Sequence, residues 1–463
     1  MYQNHPLDAR LARVLPSGSL YAVGGRVRDE LRAELEGGER PSKDFDYVVT
    51  GLPIDELTAR LAQIGRVDQV GASFSVLKLT LEGETVDIAL PRRERSIGSG
   101  HREFAVQSGP DVSLEEDLGR RDFRMNMLAR ALPSGEIVDP YGGEDDIRAR
   151  RIDIRLPEAL REDPLRMLRA AQFAARFEYA ASDALRAAMS EAAPLVATVS
   201  AERVHDELLK LLVKSRKPSI GFELLRETGV LAHLWPELLE GVGVDQNEWH
   251  AFDVWHHAMA TVDAAPPGEA SLRLAALLHD VGKPRTKEGP HFYRHEIVGA
   301  DLTRAMLERF RFSNGLTEAT EHLVRQHMYV ADADLTDAGV RRFIRRIRPE
   351  SLEHLFALRQ ADIAGSGLPK RDGSNEAFEA RVRRELDRKP AFSVRDLAVS
   401  GNDVVGALVR RGEAPAAFAG DERVGAALRW LFEQVTDEPE RNERTLLLRI
   451  LEQYLDRARV ASA

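Results

Sequence analysis

The sequence contains no cysteine, which excludes disulfide bonds and thiolate metal sites. Any metal that the chain binds must therefore be held by histidine, aspartate or glutamate. The sequence also lacks an apolar run of about 18 residues, the length needed to cross a bilayer, and it lacks an N-terminal signal-peptide pattern. These absences favour a soluble, cytoplasmic protein with no membrane partner.

Net positive charge is lacking as well. The formal net charge is -10 at pH 7, from 65 Lys and Arg against 75 Asp and Glu. Because phosphate backbones attract Lys and Arg, this balance alone disfavours a nucleic-acid partner. Basic residues nevertheless cluster in two segments, Lys210 to Lys217 and Arg341 to Arg348. A solvated helix face is the default interpretation of each segment, and contact with RNA is the alternative.

The sequence does contain enough apolar residues for a large core. Its 463 residues are 43% hydrophobic and 30% charged, which is typical of a globular protein of about three domains. Short apolar runs mix with helical segments up to about Asp153, and the helical period dominates afterwards. The pattern predicts a mixed head followed by helical domains, with a boundary near residue 155.

A pair of carboxylates opens one short predicted strand. Asp44 and Asp46 are two residues apart in the segment Lys43 to Val49. Because a strand alternates its side chains between faces, both carboxylates would point to one surface. Two Mg²⁺ ions would relieve their repulsion and would permit in-line attack of a hydroxyl on a nucleotide phosphate. The pair alone is equally compatible with an exposed turn or an edge strand.

A glycine turn upstream offers a place for a phosphate. The apolar run Leu20 to Val23 ends at Gly24 and Gly25, and a helix is predicted from Arg26 to Leu35. Glycines let the backbone approach a ligand closely, and a helix start presents unpaired N–H groups. Arg26 and Arg28 add positive charge nearby, although a Gly-Gly turn is often only a connector.

A predicted hairpin downstream carries a further carboxylate. Two strands are predicted between residues 74 and 90, and Asp87 lies in the second. Asp87 is either an outward-facing strand residue or a third carboxylate that faces Asp44 and Asp46. The segment from 92 to 109 has little periodicity and is predicted to be a mobile loop.

Polar side chains mark two predicted helix starts. Ser113 and Glu116 form a Ser-x-x-Glu capping box. A second helix is predicted with Asp163 as its N-cap and Pro164 at its first position. Arg166 follows in the same turn. An Asp that accepts hydrogen bonds beside an Arg that donates them is suited to a fixed edge of a nucleobase.

Histidines and aspartates form a second constellation after residue 250. They recur on successive predicted helices and could hold one or two metals without cysteine, although each histidine alone is more typical of a core residue. The set comprises His257, His279, Asp280, His295, His327 and Asp362.

Four motifs in order resemble the class II tRNA nucleotidyltransferases. They are Gly24 to Asp29, Asp44 to Asp46, Glu116 to Phe123 and Glu162 to Arg166. His279-Asp280 resembles the HD phosphohydrolase domain that many bacterial members carry. The resemblance covers nearly the whole chain, including the segments Asp139 to Gly143, Glu202 to Glu207, Ser400 to Asp403 and Asn442 to Arg444.

The resemblance implies a role for each motif of the head. Asp44 and Asp46 would be the catalytic ligands of Mg²⁺, with Asp87 as the third carboxylate, while an RNA 3′-hydroxyl attacks the α-phosphate. Triphosphate, ribose and base of CTP or ATP would be bound by Gly24, Gly25, Arg28, Arg121, Asp122, Asn126, Asp163, Arg166 and Arg169. The chain departs from the family at Arg124 and Met127, where Thr and Ala are usual.

The resemblance also implies a metal centre in the HD domain. Its primary ligands would be His257, His279, Asp280 and Asp362, and a second metal would use His295 and His327. Lys283 would contact a substrate phosphate. The implied chemistry is hydrolysis of a phosphoester by water activated on a divalent metal whose identity is open.

An α+β fold with four domains is the expected architecture. The nucleotidyltransferase head, with a small mixed sheet and helices, would span residues 1–154. All-α domains would follow as a nucleotide-selecting, RNA-binding neck (155–245), an HD domain (246–370) and a tail (371–463).

The expected function is addition of CCA to the 3′ end of tRNA, from CTP and ATP and without a nucleic-acid template. Addition of CC only, addition of A only and poly(A) synthesis are the alternatives within the family. Gly71 to Phe74 lacks the Gly-Arg-Arg-Phe signature of bacterial poly(A) polymerases, and Arg95 to Arg102 resembles the loop of full CCA-adding members. An HD phosphohydrolase whose head only binds RNA is the alternative from another class.

Overall fold

A computed structural model gives the fold. It describes residues 5–37, 45–70, 76–96, 104–246, 250–332, 334–369, 373–388 and 390–462. Asp44, the segment Gly71 to Phe74 and most of the predicted loop Arg95 to Arg102 lie outside the described residues. Among the helices of the described residues, none combines the length and the apolar character needed to cross a membrane.

A seven-stranded mixed sheet forms the head. Its spatial order is β3-β4-β5-β2-β1-β8-β9, in which β2 and β5 run parallel and the other neighbours antiparallel. The strands are β1 Leu20–Val23, β2 Asp46–Val49, β3 Arg66–Val70, β4 Val76–Leu81, β5 Glu84–Ala89, β8 Ala129–Ala131 and β9 Ile137–Val138, while β6 Arg92–Ser96 and β7 Phe104–Ser108 form a separate hairpin.

The β6–β7 hairpin corrects the prediction of a mobile loop. Its strands pair antiparallel from Arg92 opposite Ser108 to Ser96 opposite Phe104. Strand β6 is entirely charged and polar, and β7 begins with three consecutive apolar residues, so neither strand shows apolar alternation. The signal that usually reveals a strand is therefore absent from the sequence.

Five helices complete the head: α1 Pro6–Val14, α2 Gly25–Glu36, α3 Ile54–Leu61, α4 Leu114–Gly119 and α5 Gly143–Arg148. The predicted capping box is present at α4, where the Ser113 hydroxyl accepts from the Glu116 N–H and the Glu116 carboxylate accepts from the Ser113 N–H. Alternation along β2 places Tyr47 and Val49 in the main core, so Asp46 lies on the opposite face.

Helices dominate after the head, apart from two short two-stranded sheets: β10 Arg151–Ile152 with β11 Ala180–Ala181, and β12 Lys287–Glu288 with β13 His291–Phe292. The neck contains α6 Glu158–Glu162, α7 Leu165–Phe177, α8 Asp183–Ala192, α9 Ala201–Lys214, α10 Pro218–Glu227 and α11 Pro236–Leu239. The next part contains α12 Val254–Ala264, α13 Ala270–Leu278, α14 His295–Arg309, α15 Asn314–Gln326, α16 Asp337–Ile347, α17 Leu352–Gly365 and α18 Ser374–Asp387.

The C-terminal helices are α19 Gly401–Arg410, α20 Glu422–Asp437 and α21 Arg444–Ser462. They share a separate core that includes Val404, Leu431 and Leu451, so the last helix packs back on the other two. One larger core extends from Leu7 to Val382 and joins head, neck and the following helices. The fold is α+β, as expected, and the four domain boundaries stay predictions.

Candidate functional site

A polar cavity of about 640 Å³ opens where the sheet of the head meets the neck helix α7. Most residues that the sequence singled out in the head line this cavity. The lining comprises Gly24, Gly25, Arg28, Phe45, Asp46, Lys78, Thr85, Val86, Asp87, Arg121, Asp122, Asn126, Asp163, Arg166, Arg169, Phe173 and Arg176.

The turn between β1 and α2 brings backbone to the cavity wall. Gly24 has φ +71°, and a Cβ at this position would lie 3.0 Å from the Arg121 guanidinium and 3.8 Å from the Asp46 carboxylate. A larger residue would therefore be strained and would fill the space between these charged groups. Helix α2 begins at Gly25, so its first N–H groups lie at the same wall.

Asp46 and Asp87 lie side by side in the cavity. Strands β2 and β5 are parallel neighbours, and the register places Asp46 directly opposite Asp87. Val86 and Ile88 face the core on either side of Asp87, so its carboxylate points to the cavity, where Lys78 Nζ lies 3.1 Å away. An oxygen-only donor set of this kind fits Mg²⁺. Asp44, which forms the predicted carboxylate pair with Asp46, lies outside the described residues.

Asp122 and Asn126 are fixed by a network of charged hydrogen bonds. The Asp122 carboxylate accepts from Arg169 Nη2 at 2.6 Å and from Asn126 Nδ2 at 2.8 Å, and Asn126 Oδ1 accepts from Arg28 Nη1 at 2.7 Å. Burial raises the pKa of Asp122, but the Arg169 charge and the Asn126 hydrogen bond outweigh it and lower the pKa overall. The carboxylate is therefore ionised at neutral pH.

Asp117 holds Arg121 at the cavity, a role that was not predicted from the motifs. Its buried carboxylate accepts from Arg120 Nη2 at 3.0 Å and from Arg121 Nη2 at 3.2 Å. It also accepts from the Arg92 N–H at 3.2 Å, which ties the β6–β7 hairpin to α4. The sequence signal for this role is an Asp that precedes one arginine by three residues and a second by four, the spacing of neighbours on a helix.

Asp163 and Arg166 both reach the cavity, but the predicted N-cap is wrong. Pro164 is the residue before helix α7, and the Asp163 side chain makes no capping hydrogen bond. Its two oxygens each lie 3.1 Å from Arg203 Nη2. Arg166 Nη2 donates to the Arg120 carbonyl at 2.9 Å. Long-range partners thus replace the local cap.

Arg26 does not point to the phosphate turn, contrary to the prediction. It is buried on the other side of α2, with Nη2 2.6 Å from Asp8, Nε 2.8 Å from Glu30 and Nη1 3.1 Å from the Tyr47 hydroxyl. Helical periodicity explains the difference, because residues 26 and 28 lie about 200° apart on a helix, while Arg28 is on the cavity side.

The two departures from the family lie away from the cavity. Arg124 donates to Asp146 at 2.7 Å and pairs with Asp153 at 2.8 Å. Met127 is buried in a small core with Val48, on the same face of the sheet as Asp46. Neither Arg124 nor Met127 lines the cavity.

Four buried histidines share one orientation in the second constellation. Each ring nitrogen Nδ1 contacts a backbone carbonyl at the end or side of a helix, and each Nε2 points to a common centre. The carbonyl partners are Gly365 for His257 (3.1 Å), Ala276 for His279 (3.0 Å), Phe292 for His295 (2.8 Å) and Val324 for His327 (2.7 Å).

Asp280 lies at the middle of this centre. Its Oδ2 is 3.2 Å from His279 Nε2 and 3.4 Å from His257 Nε2, and its Oδ1 is 3.4 Å from His295 Nε2. Asp362 Oδ1 is 3.1 Å from His257 Nε2. The donor atoms form three groups, each within 4.8 Å, so the residues suit two neighbouring divalent metals.

The three donor groups are His257-His279-Asp280, Asp280-His295-His327 and His250-His257-Asp362. All six predicted ligands are thus brought together, and His250 joins them although the sequence analysis overlooked it. His250 precedes helix α12 by four residues and lies beside the His257 ring, 4.6 Å between centroids. His250 lies outside the helix that carries His257, so helical spacing offered no signal for it.

Burial and neighbouring charges act in opposite directions on protonation in this centre. Burial lowers the pKa of His279, but Asp280 and Asp362 outweigh it and raise this pKa overall. Burial lowers the pKa of His327 to about 3 and that of His250 to about 4, so both rings are neutral at pH 7. Burial raises the pKa of Asp280, but His279 and Lys283 outweigh it and hold this pKa well below the usual range. Metal ligation requires such neutral imidazoles and ionised carboxylates.

A cavity of about 550 Å³ gives access to the centre. Lys283 lines it, with Nζ 2.7 Å from Asp280 and 2.6 Å from Gln246 Oε1. Gly282 allows α14 to lie against this turn, because a Cβ there would clash with the His295 carbonyl and the Gly299 N–H. The glycine therefore sets the distance between the Asp280 turn and the helix that carries His295.

The basic segment Arg341 to Arg348 is not a free RNA-binding face. Arg341 is buried and binds Glu385 at 2.7 Å and the Thr436 carbonyl at 2.5 Å. Arg342 and Arg345 pair with Glu433 on helix α20. The segment connects the large core to the tail. Neither a solvated helix face, the default interpretation, nor contact with RNA, the alternative, describes it fully.

Comparisons with known proteins bear on both cavities. Three family models match in order: "Poly A polymerase head domain" at residues 20–153, "Probable RNA and SrmB- binding site of polymerase A" at 181–241, and "HD domain" at 249–377. The multifunctional CCA protein of Cupriavidus metallidurans is 38% identical over 368 residues, which cover 75% of this chain and 84% of that protein. The chain belongs to the multifunctional CCA protein family.

Further relatives of this family extend the match. The multifunctional CCA protein of Cupriavidus necator is 34% identical over 427 residues, which cover 88% of this chain and 99% of that protein. Among solved structures, the Bacillus stearothermophilus CCA-adding enzyme in complex with CTP matches with TM-score 0.68 at 24% identity, over 96% of this chain and 95% of that one. The Thermotoga maritima CCA-adding enzyme complexed with tRNA matches with TM-score 0.57 at 18% identity, over 97% and 96%. The fold of the multifunctional CCA proteins is thus shared with these enzymes.

Proposed function

We propose that the chain adds CCA to the 3′ end of tRNA from CTP and ATP, and that the head cavity is the site of transfer. The observation that carries this proposal is that one cavity holds both Asp46 beside Asp87 and Asp163 near Arg166. Carboxylates for phosphoryl chemistry and a polar pair for a base edge are therefore within one nucleotide's reach. Membership of the multifunctional CCA protein family supports the same reaction.

In this proposal, the head residues bind and orient a nucleoside triphosphate. Asp46, Asp87 and Asp44 would hold Mg²⁺, which when bound supplies positive charge to the reacting phosphate. N–H groups at Gly24 and Gly25 and the Arg28 guanidinium receive the triphosphate. The RNA 3′-oxygen then forms a bond to the α-phosphorus as the bond to pyrophosphate breaks.

Sugar and base are selected at separate parts of the cavity wall. Arg121, Asp122 and Asn126 form the polar wall that we assign to the ribose, with Arg169 behind Asp122. Asp163 accepts from the amino group that cytosine and adenine both carry, while Arg166 donates to the ring acceptor beside it. The same pair of side chains thus serves CTP and ATP in place of a nucleic-acid template.

We assign a separate phosphohydrolase activity to the histidine centre. Primary ligands would be His257, His279, Asp280 and Asp362, with a second divalent metal at His295 and His327. A metal in this centre activates water when bound, and Lys283 contacts the substrate phosphate. A terminal phosphate and a 2′,3′-cyclic phosphate are the phosphoester substrates we propose.

The remaining assignments follow the order of the domains. We assign transfer to residues 1–154, nucleotide selection and RNA binding to 155–245, hydrolysis to 246–370 and tRNA contact also to 371–463. The tRNA would lie along neck and tail, recognised by shape and phosphate contacts. We propose the cytoplasm as the location of the protein, because the proposed function is tRNA processing.

Single-site variants test whether two independent sites exist. Asp46→Ala should abolish nucleotide addition and leave phosphodiesterase activity intact, and His279→Ala should do the reverse. Both activities are measured on the same purified full-length chain. Joint loss in both variants would refute the two-site assignment, and addition that survives Asp46→Ala would refute transfer at the head cavity. A parent chain that hydrolyses phosphoesters but adds no nucleotide would support the alternative of a phosphohydrolase with an RNA-binding head.

A further inference from the structure

Asp163, the residue assigned to the base edge, is held by a side chain from another part of the neck. Arg203 lies in the first turn of α9, and its Nη2 is 3.1 Å from each Asp163 oxygen. One guanidinium nitrogen thus bridges both oxygens and limits rotation of the carboxylate. Arg203 itself does not line the head cavity, so it acts on a bound base only through Asp163.

Arg166 has a different anchor, although it is only three residues from Asp163. Its Nη2 donates to the Arg120 carbonyl at 2.9 Å, at the end of helix α4 in the head. The two members of the base-reading pair are therefore positioned by two different elements. The head fixes Arg166, and the neck helix α9 fixes Asp163.

Orientation of the Asp163 carboxylate bears directly on which base is accepted. An ionised carboxylate only accepts hydrogen bonds. Cytosine and adenine present an amino donor, whereas uracil and guanine present a carbonyl acceptor at the corresponding position. A carboxylate held in one orientation accepts from the first pair and repels the second, and a freely rotating carboxylate can turn away from the repulsive carbonyl.

We propose that Arg203 is a positioning residue for base selection, which keeps Asp163 oriented so that CTP and ATP are chosen over UTP and GTP. This inference rests on the proposed function of the head cavity. Both side chains are partly exposed, 47% for Arg203 and 32% for Asp163, so the ion pair adds little to overall stability. Its effect belongs in nucleotide discrimination.

The test compares discrimination ratios in full-length variants. The ratio of kcat/KM for CTP over UTP is measured on tRNA that ends at the discriminator base, and ATP over GTP on tRNA that ends in CC. Arg203→Ala should lower both ratios about threefold to fivefold, the factor that an exposed ion pair supplies. Arg203→Lys should restore them, because one ammonium nitrogen can bridge both oxygens as the single guanidinium nitrogen does.

Arg311→Ala is the matched control. Arg311 pairs with Glu202, the residue beside Arg203 on α9, and this exposed ion pair does not face the cavity. The control should keep both ratios, and thermal unfolding of all variants should stay close to the parent. An unspecific effect of weakening α9 would appear in Arg311→Ala as well and would contradict the proposal.

Two further outcomes separate this inference from the function on which it rests. If Asp163→Ala loses discrimination while Arg203→Ala retains the parent's ratios, the base-reading role stands and the role of Arg203 is refuted. If the parent protein shows no preference for CTP and ATP, both proposals fail together. If Arg203→Ala lowers kcat/KM equally for all four nucleotides, the role in base selection is also refuted. Orientation of the Asp163 carboxylate must change the ratios of CTP over UTP and ATP over GTP.

Discussion

Asp87 is the residue whose role the sequence left most open. Two neighbouring strands settle its position, since Asp46 on β2 lies directly opposite Asp87 on β5 and both reach one cavity. We expect Asp87→Asn to reduce nucleotide addition about a hundredfold, because it removes one of the charges that hold the cation. Single-turnover incorporation of CTP measures the effect.

The control for this prediction is Asp68→Asn. Asp68 lies on strand β3 of the same sheet, outside the cavity, and pairs with Arg66 at 3.0 Å. It should add nucleotides at the parent's rate. Equal rates for Asp87→Asn and the parent would remove Asp87 from the catalytic set.

Asp122 gives a prediction for stability against pH. Its pKa is lowered on folding, although burial opposes the shift, so the ionised carboxylate stabilises the fold above the unfolded-state pKa of about 4. That contribution is lost as pH falls through the folded-state pKa. We expect Asp122→Asn to cost about 2 kcal/mol at pH 7, the size of a charge-assisted hydrogen bond.

Urea unfolding of the parent and of Asp122→Asn at pH 7 and at pH 3 tests the predicted loss of stabilisation at low pH. The difference in unfolding free energy between the two proteins should shrink at the lower pH. Asp145→Asn, at an exposed position of α5, should show no comparable difference at either pH. A gap that widens on acidification would mean that Asp122 is not ionised in the folded state.

At the scale of elements, helix α16 is rich in arginine but has a structural role, because it connects helix α18 to the tail. Arg341 is buried between Glu385 on α18 and the Thr436 carbonyl on α20. We expect Arg341→Ala to destabilise the packing of the tail by about 3 kcal/mol, because the buried Glu385 carboxylate keeps only Arg388 as its ion-pair partner and the Thr436 and Asp437 carbonyls lose their donor. Limited proteolysis and thermal unfolding measure this loss.

Arg346→Ala serves as the control on the same helix. Its exposed guanidinium lies over the Phe343 ring, 5.6 Å from the centroid. The substitution should leave protease resistance of the tail unchanged. If both variants behave alike, the basic character of α16 and not the buried contact of Arg341 controls the tail.

Local patterns predicted several elements well and failed where long-range contacts decide. The helix after Gly24 and the capping box at Ser113 depend on neighbours in sequence, so both were predictable. The β6–β7 hairpin was not, because neither of its strands alternates apolar and polar residues. Asp163 looked like a local cap but is held by Arg203, forty positions further along the chain.

The sites show the same division. Alternation predicted one face for Asp44 and Asp46, but only the pairing of β2 with β5 showed that Asp87 lies beside Asp46. The ordered histidines of the second centre were all brought together. His250 was overlooked because it lies outside helix α12 and meets His257 only in the folded chain. Asp117 was overlooked although its contacts with Arg120 and Arg121 are local, because only the fold shows that Arg121 lines the cavity. The sequence therefore predicted which residues come together, and the folded chain was needed to find the side chains that position them.

At the scale of the whole molecule, the two candidate sites lie in separate cavities, although one hydrophobic core connects the regions that contain them. The head cavity contains carboxylates and arginines, while the second cavity contains the histidine centre. One hydrophobic core extends from the head through the neck to these later helices, and the tail has its own core. Local surfaces and not the net charge of -10 must therefore provide any contact with tRNA.

The central claim is complete CCA addition by the head cavity, and incorporation on a defined tRNA tests it most directly. A tRNA that ends at the discriminator base is incubated with CTP alone, ATP alone or both, and the products are resolved at single-nucleotide length. We predict two added residues with CTP alone and three, ending in A, with both nucleotides. Extension that stops after CC with both nucleotides present, or runs of A with ATP alone, would contradict the account.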